Sequence, residues 1–143
     1  MSPDEITTRF VEEIKLRAYD DRYIDKNEER EILQIAIQHG IGIDPARDLL
    51  AQVCEREGYV LESALFRLIK DQALAAAGPA GKVDQKAFDQ IVQSAKAAAQ
   101  GRRSERDLKK MVVTVMEDNG LDRAKAGWFG DWYAALKRDL GMG

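Results

Sequence analysis

The 143-residue chain contains one cysteine, one histidine and three prolines, and this scarcity excludes several kinds of functional site. Because Cys54 is alone, an internal disulfide and a multi-cysteine metal site are both excluded, and its apolar surroundings predict a core residue. Because His39 is alone, paired-histidine zinc motifs are excluded and a histidine-based catalytic centre is disfavoured. No apolar run is long enough for a transmembrane helix, and the acidic first residues do not resemble a signal peptide. We therefore expect a cytoplasmic protein that is not an enzyme and needs no cofactor.

The pattern of apolar residues predicts an all-α fold. Of the chain, 45% is hydrophobic and 33% is charged, and most segments repeat apolar residues at helical spacing. Ser2, Asp25, Asp84 and Ser104 each stand where a helix N-cap is expected. We expect six to seven short helices, arranged as duplicated helical hairpins in one orthogonal, bundle-like domain over residues 1–143. The third helix is predicted to start at Asp44-Pro45, the fourth to span about 60–77, and the last to span about 122–140.

Two parts of the chain repeat. Residues 21–28 and 80–87 each place a β-branched residue just before a capping aspartate, and an amphipathic helix follows. A second similarity pairs Gly40 and residues 41–47 with Gly120 and residues 121–125. The repetition predicts two helical hairpins that cover each other's apolar faces.

Over about residues 18–100 these repeats resemble the TerB-like family, the helical domains of tellurite-resistance proteins and of some DnaJ-type co-chaperones. Its duplicated motif reads Ala-Asp-Gly-x-Ile-x-x-x-Glu. The first copy here has Asp21, Ile24 and Glu28, with Arg22 where glycine is usual. The second copy keeps Gly81 and Val83 but has alanine, Ala80 and Ala87, at both acidic positions. The resemblance implies a helical fold, and some family members gather metal ions on an acidic face.

The acidic turn between the first two helices is a candidate cation site, with Asp21, Asp25 and Glu28 as ligands. Its spacing does not match a calcium-binding loop in either register, because Arg22, Ile24 or Ile32 would occupy ligand positions. Carboxylates in the first turn of a helix also stabilise the helix dipole, which is the favoured explanation of the cluster. A divalent-cation sensor is therefore an alternative function.

A basic stripe near residue 105 is a candidate nucleic-acid site. Its members are Arg102, Arg103, Arg106 and Lys110. Cationic side chains on one helix face can bind phosphates, but acidic neighbours dilute this stripe and no aromatic residue is interleaved for base stacking. A solvated helix face is favoured, and a weak nucleic-acid-binding module is a second alternative.

The C-terminal segment concentrates the aromatic residues. Four of the ten lie within six positions, namely Trp128, Phe129, Trp132 and Tyr133. Burial in the core explains such a group, and so does a docking face, because tryptophan and tyrosine dominate interface hot spots. We expect a non-enzymatic adaptor or regulatory module that binds a protein partner through these residues, with the acidic turn as a second surface. Self-association through the same helix is a further expectation.

Overall fold

The computed structural model describes residues 2–124 and 131–143, and these residues form an all-α protein as predicted. Seven α-helices and four two-residue strands are present in this part of the chain. The helices are α1 (Pro3–Arg17), α2 (Lys26–Gln38), α3 (Ile43–Glu57), α4 (Glu62–Ala77), α5 (Gln85–Ala99), α6 (Glu105–Asp118) and α7 (Trp132–Asp139). The strands are β1 (Tyr23–Ile24), β2 (Val60–Leu61), β3 (Lys82–Val83) and β4 (Asp122–Arg123). A 3-10 turn over Gly78–Ala80 follows α4.

The four predicted N-caps are confirmed. The side chains of Ser2, Asp25, Asp84 and Ser104 each accept a hydrogen bond from the backbone N–H three residues later. Such bonds satisfy N–H groups that have no partner within the helix. The helix starts therefore depend on local chemistry that the sequence carries directly.

Three predicted helix boundaries are wrong. The third helix begins at Ile43 with Gly42 as its N-cap, and Gly42 has no side chain to cap it. The fourth begins at Glu62, because Val60 and Leu61 pair with β1 as a strand. The last helix begins at Trp132 instead of residue 122, because Asp122 and Arg123 form β4.

The chain divides into two compact units, unit 1 (residues 1–64) and unit 2 (residues 65–143). In unit 1, β1 pairs in parallel with β2 and joins the start of α2 to the end of α3. In unit 2, β3 pairs in parallel with β4 and joins the start of α5 to the end of α6. Each unit thus contains a strand, two helices and a second strand. The prediction of one packed domain over residues 1–143 stays a prediction.

The second sequence similarity pairs two glycines that follow helices in the same way. Gly40 comes after the C-cap of α2 and Gly120 after the C-cap of α6, with φ of 84° and 66°. In the order of elements, however, Gly120 corresponds to Gly58, which ends α3 and precedes β2 as Gly120 precedes β4. Both Gly58 and Gly120 adopt the left-handed backbone conformation, with φ of 73° and 66°. The repeat is therefore longer than the two short similarities indicate.

The core of unit 1 is formed by one face of each of its helices. Its buried side chains are Phe10, Ile14, Ala18, Ile24, Ile32, Leu33, Ala36, Ala46, Leu50, Val53 and Cys54. In unit 2, α5 and α6 supply most of the buried residues, including Phe88 and Met116. The side chains that these faces leave outside the core are the candidates for binding.

Candidate protein-interaction surfaces

Each carboxylate of the acidic turn binds the backbone of unit 1. Asp21 Oδ1 accepts a hydrogen bond of 3.1 Å from the Tyr23 N–H. Asp25 Oδ1 accepts from the Glu28 N–H at 2.8 Å, and Glu28 Oε1 accepts from the Asp25 N–H at 3.2 Å. This reciprocal pair is a capping box at the start of α2. The three predicted metal ligands therefore have a structural function in the turn.

The same turn holds one perturbed acid. Burial raises the pKa of the Glu28 carboxyl above its ordinary value, and repulsion from Asp25 and Asp21 adds to the increase. Within residues 2–124 and 131–143, no three histidine, cysteine, aspartate or glutamate side chains are grouped so as to hold a metal ion. Cation binding at this turn stays a prediction.

The largest apolar exposure in unit 1 lies at the end of α1. Leu16 is 69% exposed and Tyr19 is 81% exposed, more than any other large hydrophobic residue in the part of the chain described. They are three residues apart in the turn that closes α1, where the Tyr19 N–H donates to the Leu16 carbonyl. Side chains with this spacing are neighbours on a helix surface. We call these two residues the Leu16–Tyr19 surface.

Sequence reasoning missed this surface. The apolar residues at helical spacing in α1 include Phe10, Ile14 and Ala18, and all three are buried. Leu16 lies two residues from Ile14, so a helix places it on a different face. The position of Leu16 outside the apolar stripe could therefore have predicted its exposure. The exposure of Tyr19 depends on how the chain turns after α1.

The two cations that flank Leu16 in the chain are paired with acidic groups. Lys15 Nζ lies 3.4 Å from a carboxylate oxygen of Glu57, and Arg17 bonds to both Glu13 and Glu31.

The carboxylates of Glu12 and Asp20 differ from these paired groups. Both residues are exposed, and neither has an ion-pair partner among the described residues. Glu12 precedes Leu16 by one helical turn, and Asp20 directly follows Tyr19. Unpaired negative charge therefore lies on either side of the apolar pair in the chain.

The described part of the aromatic segment packs within unit 2. Trp132 is half-buried, and its ring centroid lies 5.5 Å from that of Phe88 and 5.5 Å from that of Tyr133. Its Nε1–H donates to the Ala124 carbonyl at 2.9 Å. Tyr133 is buried, with the Arg123 guanidinium and the Lys137 ammonium each 5.8 Å from its ring centroid.

These contacts favour core closure, one of the two explanations that the sequence allowed, for Trp132 and Tyr133. The other two predicted docking residues, Trp128 and Phe129, lie outside the described residues. Their part in binding stays a prediction.

The predicted basic stripe does not form one helix face. Arg102 and Arg103 precede the N-cap of α6, and only Arg106 and Lys110 lie on the helix. Arg106 donates through Nη1 to the Asp139 carbonyl at 2.7 Å, so it ties α6 to the end of α7. Of the four residues predicted to bind nucleic acid, two therefore lie in the linker before α6 and two lie on α6.

The single cysteine and the single histidine both occupy structural positions. Cys54 is 4% exposed in the core of unit 1, and burial raises the pKa of its thiol to about 12. A thiol with so high a pKa holds almost no thiolate at neutral pH, so Cys54 is a core residue as predicted. His39 is the C-cap residue of α2, and its Nδ1 lies 2.9 Å from the Ile35 carbonyl oxygen.

Comparisons with known proteins return no relative. No protein-family model, curated protein or solved structure matches the chain. Among the described residues, every helix is too short or too polar to span a membrane.

Proposed function

We propose that this chain is a non-enzymatic, cytoplasmic adaptor that acts through protein–protein contacts made by unit 1. The observation that carries the proposal is the exposure of Leu16 and Tyr19, which are 69% and 81% accessible and lie three residues apart in the turn that closes α1. Single exposed apolar residues are ordinary on protein surfaces, whereas contiguous apolar patches mark interaction sites. Tyrosine is also enriched at the centres of interfaces, because its ring combines apolar area with a polar hydroxyl.

The chemistry of the other candidate residues supports an adaptor rather than a catalyst. A nucleophile needs a lowered pKa or an adjacent base, and Cys54 has a raised pKa in an apolar core. Asp25 and Glu28 use their oxygens to cap α2, which ties these carboxylates to the fold.

The proposed contact differs from the one expected from the sequence alone. The expectation was centred on the C-terminal aromatic residues, of which Trp132 and Tyr133 pack inside unit 2. Leu16 and Tyr19 do not belong to the buried cluster of unit 1, so they are free to bind without rearrangement of that core.

Family membership is part of the same proposal. The resemblance to the TerB-like family is supported by the backbone at the motif position where glycine is usual. Arg22 and Gly81 occupy this position in the two copies, and both have a positive φ, of 55° and 67°. Glycine is favoured at such positions because it has no Cβ.

The experiment that tests the adaptor proposal is site-specific photo-crosslinking in an extract of the source cells. A photoreactive phenylalanine analogue replaces Tyr19 in one protein and the exposed Gln52, on α3 of the same unit, in a matched control. We expect a discrete heterologous adduct from position 19 that the control does not form. The additional change Leu16→Ser should abolish the adduct. Equal adducts from both positions, or none from position 19, would contradict the proposal.

A divalent-cation sensor is the second candidate, and one observation favours it. Repulsion among Asp21, Asp25 and Glu28 contributes to the raised pKa of Glu28, and a bound cation would relieve that repulsion. Calorimetric titration with calcium, magnesium and zinc tests it. Heat that is absent from the Glu28→Gln variant would support the sensor, and no heat at millimolar metal would remove it.

A further inference from the structure

We infer that the Leu16–Tyr19 surface takes a short segment of a partner protein that combines basic and apolar side chains. The inference rests on the proposed adaptor function and adds the chemistry of the partner. It depends on the apolar pair and on the charges that surround it.

The apolar part of the inference concerns Leu16 and Tyr19. Leu16 lies in the last turn of α1, and Tyr19 lies in the turn that follows the helix and leads into β1. Covering them with apolar groups removes their surface from water, which is the main favourable term in most protein associations. The partner segment must therefore carry apolar side chains that match a site about two residues wide.

The charged part concerns Glu12 and Asp20. Glu12 precedes Leu16 by four residues on α1, and Asp20 directly follows Tyr19 in the turn after α1, so an exposed carboxylate stands before and after the apolar pair in the chain. The neighbouring cations Lys15 and Arg17 are already paired with glutamates of unit 1.

Arg9 is a further exposed cation on α1 that has no ion pair among the described residues. It is outnumbered by the exposed acids of α1 and the following turn that also have no ion pair, which include Asp4, Glu5, Glu12 and Asp20. The charge left to attract a partner is therefore negative on balance, and the partner's charge is positive.

The charge of the whole of unit 1 agrees with this assignment. Residues 1–64 contain 15 acidic and 8 basic side chains, a net charge of −7. A field of this sign speeds the approach of a basic segment and repels nucleic acid and anionic membrane surfaces. A basic protein segment is thus the class of occupant that fits both the apolar pair and its surroundings.

The test uses a fluorescein-labelled, 15-residue amphipathic peptide of leucine and lysine, with binding followed by fluorescence anisotropy. Two control peptides replace either every lysine by glutamate or every leucine by serine. Three variants of the full chain are compared, L16S/Y19S, E12Q/D20N and the matched charge control D44N/D48N. Asp44 and Asp48 are exposed carboxylates on α3 of the same unit, so the control changes the net charge equally.

We expect the leucine–lysine peptide to bind the natural chain and both control peptides to bind at least about tenfold more weakly. L16S/Y19S should weaken binding by about tenfold or more, because it removes the apolar centre of the site. E12Q/D20N should weaken binding by about threefold to tenfold at low salt and by less at 0.15 M, where charges are screened over about 8 Å. D44N/D48N should change the affinity by less than about twofold, because Asp44 and Asp48 lie near the start of α3, whereas its other end, at Glu57, pairs with Lys15 of α1. Circular dichroism checks that every variant keeps its helices.

Three results would overturn the inference. They are equal binding of the lysine and glutamate peptides, equal weakening by E12Q/D20N and D44N/D48N, and unchanged binding in L16S/Y19S. Sedimentation that shows self-association lost in L16S/Y19S would also overturn it, since a second copy would then be the occupant. If position 19 crosslinks a partner while the basic peptide fails to bind, the adaptor proposal stands and only the partner chemistry is wrong.

Discussion

Replacing Arg22 by glycine and by alanine separates the backbone and side-chain contributions of the first repeat. Arg22 has a φ of 55°, in the left-handed region that costs a non-glycine residue about 1–2 kcal/mol. Its guanidinium donates to the Glu57 carbonyl and lies 5.5 Å from the centre of the Tyr59 ring. The side chain therefore offsets the unfavourable backbone conformation.

The two substitutions are expected to differ by about 1 kcal/mol in the free energy of unfolding. Alanine keeps the unfavourable backbone and loses contacts that contribute about 1 kcal/mol, so R22A should be less stable than the natural chain. Glycine loses the same contacts but relieves about 1 kcal/mol of backbone strain, so R22G should be close to the natural chain. R22A should therefore be the least stable of the three proteins, and R22G should be close in stability to the natural chain.

Urea denaturation followed by circular dichroism at 222 nm measures these differences. Gly81 supplies the control, because it occupies the same position in unit 2 with a φ of 67°. A Cβ added to Gly81 would meet no atom within 4 Å, so G81A reports the backbone cost alone, again about 1 kcal/mol. Equal stability of R22A and R22G, or no loss in G81A, would refute the reasoning.

Four further predictions follow from the described contacts. Trp132→Ala should lower the free energy of unfolding by about 2 kcal/mol in urea denaturation, because a half-buried ring packed on Phe88 is lost; a change below about 0.5 kcal/mol would mean that the ring is not part of the core. The Cys54 thiol should react with a disulfide reagent at least about 100-fold more slowly in the native protein than in urea, and equal rates would contradict its burial. Because folding raises the pKa of Glu28, the folded state binds more protons, and the natural chain should lose stability relative to E28Q as the pH rises through that raised pKa. Asp131 should behave oppositely, since its hydrogen bond with the Arg123 guanidinium lowers the pKa of its carboxyl. The extra stability of the natural chain relative to D131N should be present at neutral pH and be lost as the pH falls through the lowered pKa. Parallel pH profiles of E28Q and D131N against the natural chain would contradict the predictions for both residues.

The starts of α1, α2, α5 and α6 were predictable because their causes lie within four residues. Asp25 and Asp84 bond to the backbone three positions later, so type and spacing alone are sufficient. The start of α3 was misplaced because its N-cap is Gly42, which makes no side-chain hydrogen bond. The sequence therefore has no capping side chain that identifies this helix start. The strands were missed because each has only two residues, too few for an alternating pattern, and each pairs with a strand about 40 residues away.

The binding surface was less predictable than the fold. Leucine and tyrosine residues are assigned to a core when they occur near an apolar stripe, and Leu16 and Tyr19 follow directly on that of α1. Whether such residues are covered depends on contacts with distant elements, which a single sequence does not specify. Trp132 shows a related case, because its aromatic neighbours allowed both a docking face and burial, and Phe88, 44 residues earlier, packs against it. Local patterns thus indicated the helices, and tertiary contacts decided which side chains remain outside the core.

The most direct test of the account, in which the Leu16–Tyr19 surface binds a basic and apolar segment, is the mapping of amide chemical shifts while the leucine–lysine peptide is added to the isotopically labelled chain. The account predicts changes concentrated over residues 8–22, around Leu16 and Tyr19, with the helices of unit 2 unaffected. Changes centred on α7, or no changes at peptide concentrations that saturate a weak site, would contradict it.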